Sequence, residues 1–111
     1  MGSARARPRQ ASDVQERLAE LDTVLDALAH PVRRHILLVL RLRGGTLSAG
    51  EIATRCDCAW PTTSRHLGVL TEAGLITVTR DGRERLYHLD AERVRRTPTE
   101  WLRWFVDGTA G

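Results

Sequence analysis

Lysine is absent from this chain of 111 residues, so all 17 of its basic side chains other than histidine are arginine. The net charge is only +3, although the sequence pI is about 9.6. An arginine-rich composition is explained most simply by genomic base composition, and a basic balance alone is a weak indication of nucleic-acid binding. Whether the arginines indicate nucleic-acid binding must therefore be judged from their positions in the sequence.

Long apolar stretches are also absent. No run approaches the roughly 18 residues that a membrane-spanning helix needs. Arg5, Arg7 and Arg9 are not followed by the apolar segment of a secretory signal. The two cysteines, Cys56 and Cys58, are too close in sequence for an ordinary structural disulfide, which agrees with a reducing compartment. These absences predict a cytoplasmic protein without membrane contact.

The usual signatures of catalysis are missing as well. There is no glycine-rich phosphate loop, no serine or cysteine with a plausible base partner, and no carboxylate pair in an apolar setting. A thiol oxidoreductase would carry a Cys-x-x-Cys motif near a βαβ unit, and this chain has neither. We therefore expect no enzymatic activity and no cofactor.

Length and composition predict one domain with three segments. Residues 1–11, rich in Arg, Ala, Pro and Gly, resemble a flexible N-terminal arm. The folded domain is expected over 12–107, followed by a C-terminal tail at 108–111. A short chain buries little of its own surface, so an apolar seam left over predicts a partner chain.

Helical periodicity dominates the first half of the domain. Apolar residues from Val14 to Leu28 recur at steps of three and four, which indicates a helix beginning near Ser12. Pro31 is suited to the first turn of a second helix, which runs to Gly44.

Capping signals locate the next two helices. Ser48 and Glu51 have the spacing of a capping box, which predicts a short helix ending near Arg55. After a turn, a fourth helix is expected from about Trp60 to Ala73, closed by Gly74 as a left-handed cap.

A hairpin and a last helix complete the predicted fold. Two β-rich segments, Leu75 to Arg80 and Arg83 to Leu89, flank a tight turn at Asp81-Gly82. A second capping box at residues 97–100, with proline at the first helical position, predicts that the last helix opens there. The fold class is therefore mainly α with a small β-hairpin (α+β), arranged as a winged helix-turn-helix.

This arrangement predicts binding to double-stranded DNA. The second helix of a helix-turn-helix fits the major groove, and arginines of a wing suit the neighbouring backbone or minor groove. Inward placement of Thr63, Leu67 and Leu70 turns the opposite side of the fourth helix outward. The candidate DNA-binding residues on this helix and the wing are Trp60, Pro61, Thr62, Ser64, Arg65, His66, Gly68, Arg80, Arg83 and Arg85. Arg65 suits guanine or a phosphate, and His66 lies at the edge of the inner face.

Several segments resemble the ArsR/SmtB family of repressors, over about residues 20–90. The segment ALAHPVRRHIL at 27–37 is similar to the family's opening helices, and LSAGEIA at 47–53 to its first helix-turn-helix element. WPTTSRHL at 60–67 and EAGLI at 72–76 resemble the recognition helix and first wing strand, and residues 82–89 resemble the second. The Trp-Pro opening and the tryptophan-rich tail are closer to the family's non-metal branch, whose members are often autorepressors.

The resemblance implies a homodimeric repressor that binds a pseudo-palindromic operator. Family dimers pair through the first and last helices, which matches the apolar seams that the domain leaves over. The expected interface residues are Leu18, Leu21, Leu25, Trp101, Leu102 and Phe105.

Cys56 and Cys58 leave three interpretations open: a soft-metal site, a redox-responsive thiol pair, or inert turn residues. The resemblance implies that the family's best-known cysteine ligands would fall at Ser48 and Gly50, so those ligands are not carried over. The four histidines are scattered without ligand spacing. We therefore expect no metal site, with Cys56 and Cys58 as the only candidates, and the sequence names no small effector.

A further alternative is a winged-helix module that binds protein, such as an antitoxin. Salt dependence distinguishes the two functions, because DNA binding releases counterions and weakens steeply with salt, whereas a mainly apolar protein interface does not.

Overall fold

The computed structural model describes the backbone of residues 2–106 and the side chains from Asp13 onward. Within that range the chain forms five helices and one three-stranded sheet. In chain order these are α1 (Gly2–Leu28), α2 (Pro31–Leu42), β1 (Thr46–Ser48), α3 (Ala49–Cys56), α4 (Trp60–Glu72), β2 (Ile76–Asp81), β3 (Glu84–Leu89) and α5 (Ala91–Val106). The tail expected at 108–111 and the domain end at 107 lie outside the described residues.

The first helix is longer than the sequence indicated. It begins at Gly2 rather than near Ser12, so residues 2–11, expected as a flexible arm, continue α1. Alanine, arginine and glutamine are all good helix formers, and they outnumber the single Pro8 in this stretch. Ser12 consequently lies inside the helix and does not cap it.

The boundaries of α2 to α4 follow local capping chemistry. His30 precedes Pro31, and its Nδ1 accepts from the Val32 N–H at 3.2 Å. Ser48 and Glu51 form the predicted capping box. The Glu51 N–H donates to the Ser48 hydroxyl oxygen at 3.2 Å, and the Ser48 N–H donates to the Glu51 carboxylate at 3.0 Å. Gly74 has φ +77°, which confirms the left-handed end of α4.

The sheet contains one strand that the sequence did not reveal. Its strand order is β1-β3-β2 and all neighbouring strands are antiparallel. β3 is therefore the central strand, and β1 pairs with the side of β3 opposite to β2. Asp81 and Glu84 are paired across the hairpin, which leaves a two-residue turn at Gly82 and Arg83. Gly82 takes φ +65°, as the first position of a type II′ turn requires.

The predicted start of the last helix is wrong. α5 begins at Ala91, after Asp90 accepts from the Arg93 N–H at 3.0 Å, and Pro98 lies inside it. An aspartate cap about two turns upstream begins the helix earlier, and the buried Thr97 holds its middle against the domain despite the proline. The capping box at 97–100 is therefore a false signal, and Glu100 instead pairs with Arg96 at 3.7 Å.

All the helices except α5, together with the sheet, contribute buried side chains to one core. Its fully buried members, which include Val24, Ile36, Ile52, Leu67 and Leu75, come from four helices and the start of the wing. The result is the predicted winged helix-turn-helix, with α3 and α4 as the helix pair and the β2–β3 hairpin as the wing. No helix within the described residues is both long and apolar enough to cross a membrane.

Candidate nucleic-acid interface

The turn between α3 and α4 sets the direction of α4. Asp57 adopts a left-handed conformation with φ +52°, and its N–H bonds to the carbonyls that end α3. Thr63 is completely buried, and its hydroxyl donates to the Ala59 carbonyl at 3.1 Å. Leu67 and Leu70 are also buried, which confirms the predicted inner face of α4. One side of α4 is therefore buried in the core, and the opposite side lies at the protein surface.

The opposite side, here called the outer face of α4, is open to solvent. Ser64, Arg65 and Gly68 are exposed, and Thr62 is half-buried at its edge. Nothing within 4 Å would meet a side chain at Gly68. Arg65 forms no hydrogen bond or ion pair with the part of the protein that the structure describes, so its guanidinium is available to a ligand. The exposed Trp60 and Pro61 begin the same helix.

His66 is the exception among the residues predicted on this helix. It is 7% exposed and lies on the inner side, where its ring is 4.4 Å from that of His30. Arg33 NH1 lies 3.3 Å from its Nδ1. Successive helical residues are 100° apart, so His66 lies on the inner side of α4 although Arg65 beside it is exposed. Its prediction as a DNA-contacting residue is therefore corrected: it is a packing residue.

Burial lowers the pKa of His66, and the neighbouring His30, Arg33 and Arg65 lower it further. These effects favour the neutral form of its imidazole. Because a guanidinium offers no acceptor, the Nδ1 of this neutral ring must accept from Arg33, and the ring proton is on Nε2.

The wing carries Arg80, Arg83 and Arg85 as exposed side chains at its tip. Arg80 and Arg85 are directly paired across the hairpin. Like charges in that position repel each other, so an anion bound beside the two guanidinium groups would stabilise the pair.

The two faces of the wing differ in charge. Side chains alternate along a strand, so Arg80 and Arg85 share the face of the buried Ile76 and Tyr87, while Asp81 and Glu84 occupy the other face. The arginine pair therefore extends the side of the sheet that packs on the helices. A cavity of about 310 Å³ separates the wing from the starts of α3 and α4, and its lining includes Ser48, Trp60, Arg83 and Arg85.

A second exposed surface lies along α1 and α5. Of the residues predicted for a dimer interface, Leu18 and Leu25 on α1 are exposed by 46% and 42%. Leu21 is instead buried, at 6%, at the cleft between α1 and α5 of its own protomer, so it is corrected from an exposed seam residue to a buried one. On α5 the predicted residues are all exposed: Trp101, Leu102 and Phe105.

Three more exposed apolar side chains on these helices were not among the residues predicted for the interface. Val14, Trp104 and Val106 are 57%, 79% and 83% exposed. Their spacing of three and four residues from predicted members was the signal that would have found them. Leu18, Trp101 and Trp104 also line a cleft of about 500 Å³ between α1 and α5. Glu20 and Arg93, 3.1 Å apart, tie the two helices together beside it.

The cysteines lie at the end of α3 and in the α3–α4 turn, both half-buried and without a disulfide bond. The Cys58 thiol donates to the Cys56 carbonyl at 3.3 Å. Burial, with a smaller contribution from Cys58, raises the pKa of the Cys56 thiol, which disfavours the thiolate that binds metals or attacks oxidants. Within the described residues, no three or more side chains of the His, Cys, Asp and Glu types gather as a metal site would require.

Comparison with known proteins gives consistent matches. A family model described as "Helix-turn-helix domain" matches residues 28–79. The biofilm growth-associated repressor of Agrobacterium fabrum is 35% identical over 83 residues, which cover 75% of this chain and 69% of that protein. The transcriptional repressor SdpR of Bacillus subtilis is 32% identical over 87 residues, covering 78% and 93%. Among solved structures, an ArsR-like transcriptional regulator from Rhodococcus sp. RHA1 superposes with a TM-score of 0.71 at 29% identity, covering 84% and 86%.

Proposed function

Because this chain belongs to the ArsR/SmtB family of winged helix-turn-helix transcriptional repressors, we propose that it represses by binding operator DNA as a homodimer. In this proposal α4 is the recognition helix and enters the major groove, while the wing contacts the adjacent backbone. The observation that carries the proposal is the outer face of α4, which stays exposed beside the arginine-bearing side of the wing.

The chemistry of the outer face suits base-edge and phosphate contacts. Thr62 and Ser64 supply short hydroxyl groups, and the bare Gly68 permits close approach of the helix to the groove floor. Arg65 supplies a fork of donors that matches the guanine O6 and N7 edge. Trp60 and Pro61 would lie at the helix start, against the sugar-phosphate backbone. Arg80, Arg83 and Arg85 would neutralise phosphates.

The dimer is proposed to form through α1 and α5. Exposed leucines and aromatic residues along both helices make an apolar surface that is unusual for a monomer of this size. Trp101 and Phe105, with ring centroids 4.9 Å apart, would form its centre. A symmetric pairing presents two recognition helices to half-sites about one helical turn apart on the duplex, which implies a pseudo-palindromic operator.

Three further parts of the proposal follow from this role. The repressor has no catalytic activity of its own, it works in the cytoplasm where the operator is, and its operator lies upstream of its own gene. Cys56 and Cys58 serve as turn residues, which the raised pKa of Cys56 supports.

The deciding experiment is fluorescence anisotropy with the protein's own upstream DNA and a shuffled duplex of equal length. We expect tighter binding to the upstream DNA and a steep loss of affinity with salt on both duplexes. Addition of zinc, copper or a mild oxidant should leave the upstream affinity unchanged. Absence of salt-dependent binding to either duplex would instead favour a protein-binding winged helix.

A further inference from the structure

Arg33 links the end of α1 to the recognition helix. From α2 its guanidinium donates through Nε to the Ala27 carbonyl at 2.7 Å and through NH2 to the Asp26 carbonyl at 3.1 Å. Both carbonyls belong to the last turn of α1, where helix geometry leaves carbonyls without a partner four residues on, and the Asp26 carbonyl also accepts from the Ala29 N–H at 3.2 Å. The remaining NH1 group lies 3.3 Å from Nδ1 of His66 on α4. One side chain therefore joins three helices.

The position of His66 makes this link relevant to DNA contact. It lies between Arg65, which points to solvent, and Leu67, which is buried in the core. A small rotation of α4 about its axis would move Arg65 and Ser64 relative to the groove, and the contact between Arg33 and His66 resists such a rotation. α1, at the other end of the link, is a proposed dimer helix, so the link also relates the dimer surface to the recognition surface.

The link depends on a neutral imidazole. Both groups would be donors if His66 took up a proton, and the hydrogen bond would be replaced by repulsion. The titratable or charged groups that face His66 are His30 from the α1–α2 junction, Arg33 from α2 and Arg65 from α4 itself. All three are basic, so none of them offers a protonated ring an acidic partner.

We propose that the Arg33–His66 hydrogen bond positions the recognition helix on the end of α1, and that protonation of His66 releases it and weakens operator binding. The inference rests on the proposed DNA-binding function and goes beyond it, because it names two positioning residues outside the DNA contact surface. Its pH dependence has an unusual sign: an added positive charge normally strengthens binding to a polyanion, whereas here acid weakens it.

The first test is a pH profile of operator affinity at constant ionic strength. For the unmodified protein we expect the affinity to fall by at least about threefold between about pH 7.5 and about pH 5. The variant His66→Asn carries an amide oxygen near the position of Nδ1 that accepts from Arg33 but does not titrate. It should bind within about twofold of the unmodified protein at the higher pH and lack the acid decrease.

His30→Asn is the matched control, because asparagine preserves the α2 cap without titrating. This variant should keep the acid decrease. If His30→Asn abolishes the decrease and His66→Asn does not, or if affinity rises in acid, the proposal is wrong.

The second test compares two neighbouring arginines. Arg34 also donates to an α1 carbonyl, that of Leu28 at 2.8 Å, but no contact with α4 is described for it. We expect Arg33→Met to weaken operator binding about tenfold and Arg34→Met less than about twofold, with melting temperatures recorded for both. Equal losses in the two variants would overturn the proposal. If Arg33→Met does not fold, the His66→Asn profile decides alone.

The DNA-binding function and the positioning role of Arg33 and His66 are contradicted by different results. If the unmodified protein shows no salt-dependent binding to its upstream DNA near neutral pH, the proposed function is wrong. If it binds but its pH profile is the same in His66→Asn, only the positioning role is wrong.

Discussion

Arg65 and His66 are neighbours in sequence with opposite surroundings. The Arg65 side chain points to solvent without a described partner, and the His66 ring is enclosed by His30 and Arg33. The 100° turn between successive helical residues is enough to separate a side chain for binding from one for packing. Substitutions at the two positions should therefore act differently: a change at Arg65 removes a side chain proposed to contact DNA, whereas a change at His66 alters the packing that positions α4.

Substitution of Arg65 tests the recognition role of the outer face. We expect Arg65→Ala to weaken operator binding by about 1–3 kcal/mol, with a smaller loss on shuffled DNA, because a guanidinium that reads a base contributes mainly to specific binding. Anisotropy titrations on the two duplexes measure both losses. An equal loss on both would assign Arg65 to a phosphate.

The lowered pKa of His66 predicts how stability varies with pH. Because the folded state favours the neutral ring, the unfolded chain binds the proton more readily, and stability rises with pH. The stability that depends on a neutral His66 is fully present above the ordinary histidine pKa of about 6.5. It is lost as the pH falls below that value, because the proton then binds the unfolded chain in preference. Urea unfolding at several pH values should show this slope, and His66→Asn should reduce it. An unchanged slope in the variant would place the titration elsewhere.

The wing is the element in which placement of charge matters most. Its arginine pair occupies the same face as the buried Ile76 and Tyr87, while its acidic pair occupies the other. Neither pair favours the isolated hairpin, since like charges opposed across strands repel. The arrangement is understandable if the basic face meets phosphates and the acidic face remains in solvent.

Neutralising one wing arginine should separate binding from stability. We expect Arg80→Gln to leave the unfolding free energy unchanged or slightly higher, because it removes a cross-strand repulsion. DNA affinity should fall similarly on operator and shuffled DNA, and the salt slope should decrease by about one. Glu84→Gln, on the opposite face, is the control and should not weaken binding. A loss confined to the operator would mean that Arg80 reads bases.

At the scale of the whole molecule, two surfaces of contrasting chemistry are left exposed within the residues that the structure describes. The outer face of α4 and the wing are polar and basic, whereas the exposed side of α1 and α5 is apolar. Such a division suits a protein that binds a polyanion with one surface and a second copy of itself with the other. The link through Arg33 joins the end of α1 to the middle of the recognition helix, and Arg93 of α5 donates to the carbonyl of Ala73 at the end of that helix, at 3.1 Å.

Charge placed on the apolar surface should produce monomers. We expect Leu25→Asp and Phe105→Asp each to shift sedimentation from dimer to monomer and to weaken operator binding roughly a hundredfold, because one half-site contact is lost. Leu42→Asp, which is 74% exposed on α2, is the matched control and should remain dimeric. Leu21→Asp should instead unfold the protomer, since Leu21 is buried. Dimers that persist in both test variants would disprove the interface.

Signals that span a few residues could be recognised in the sequence. The Ser48–Glu51 capping box, the left-handed Gly74 and the buried face of α4 were all predicted, because each depends on neighbouring residues along the chain. The same local reasoning was wrong at Thr97–Glu100, where the capping pattern was present but Asp90 had already begun α5. A local motif permits a helix start without requiring one.

The sequence by itself determined the helix-turn-helix, the hairpin and the family, since periodicity, caps and turn residues are properties of short segments. Only the tertiary structure decided which members of those segments are exposed: it buried Leu21 and His66, and it paired β1 with β3. It also brought Arg33 to His66, across 33 positions of the chain. Contacts between distant segments depend on how helices and strands pack together, and no short stretch of sequence contains that information.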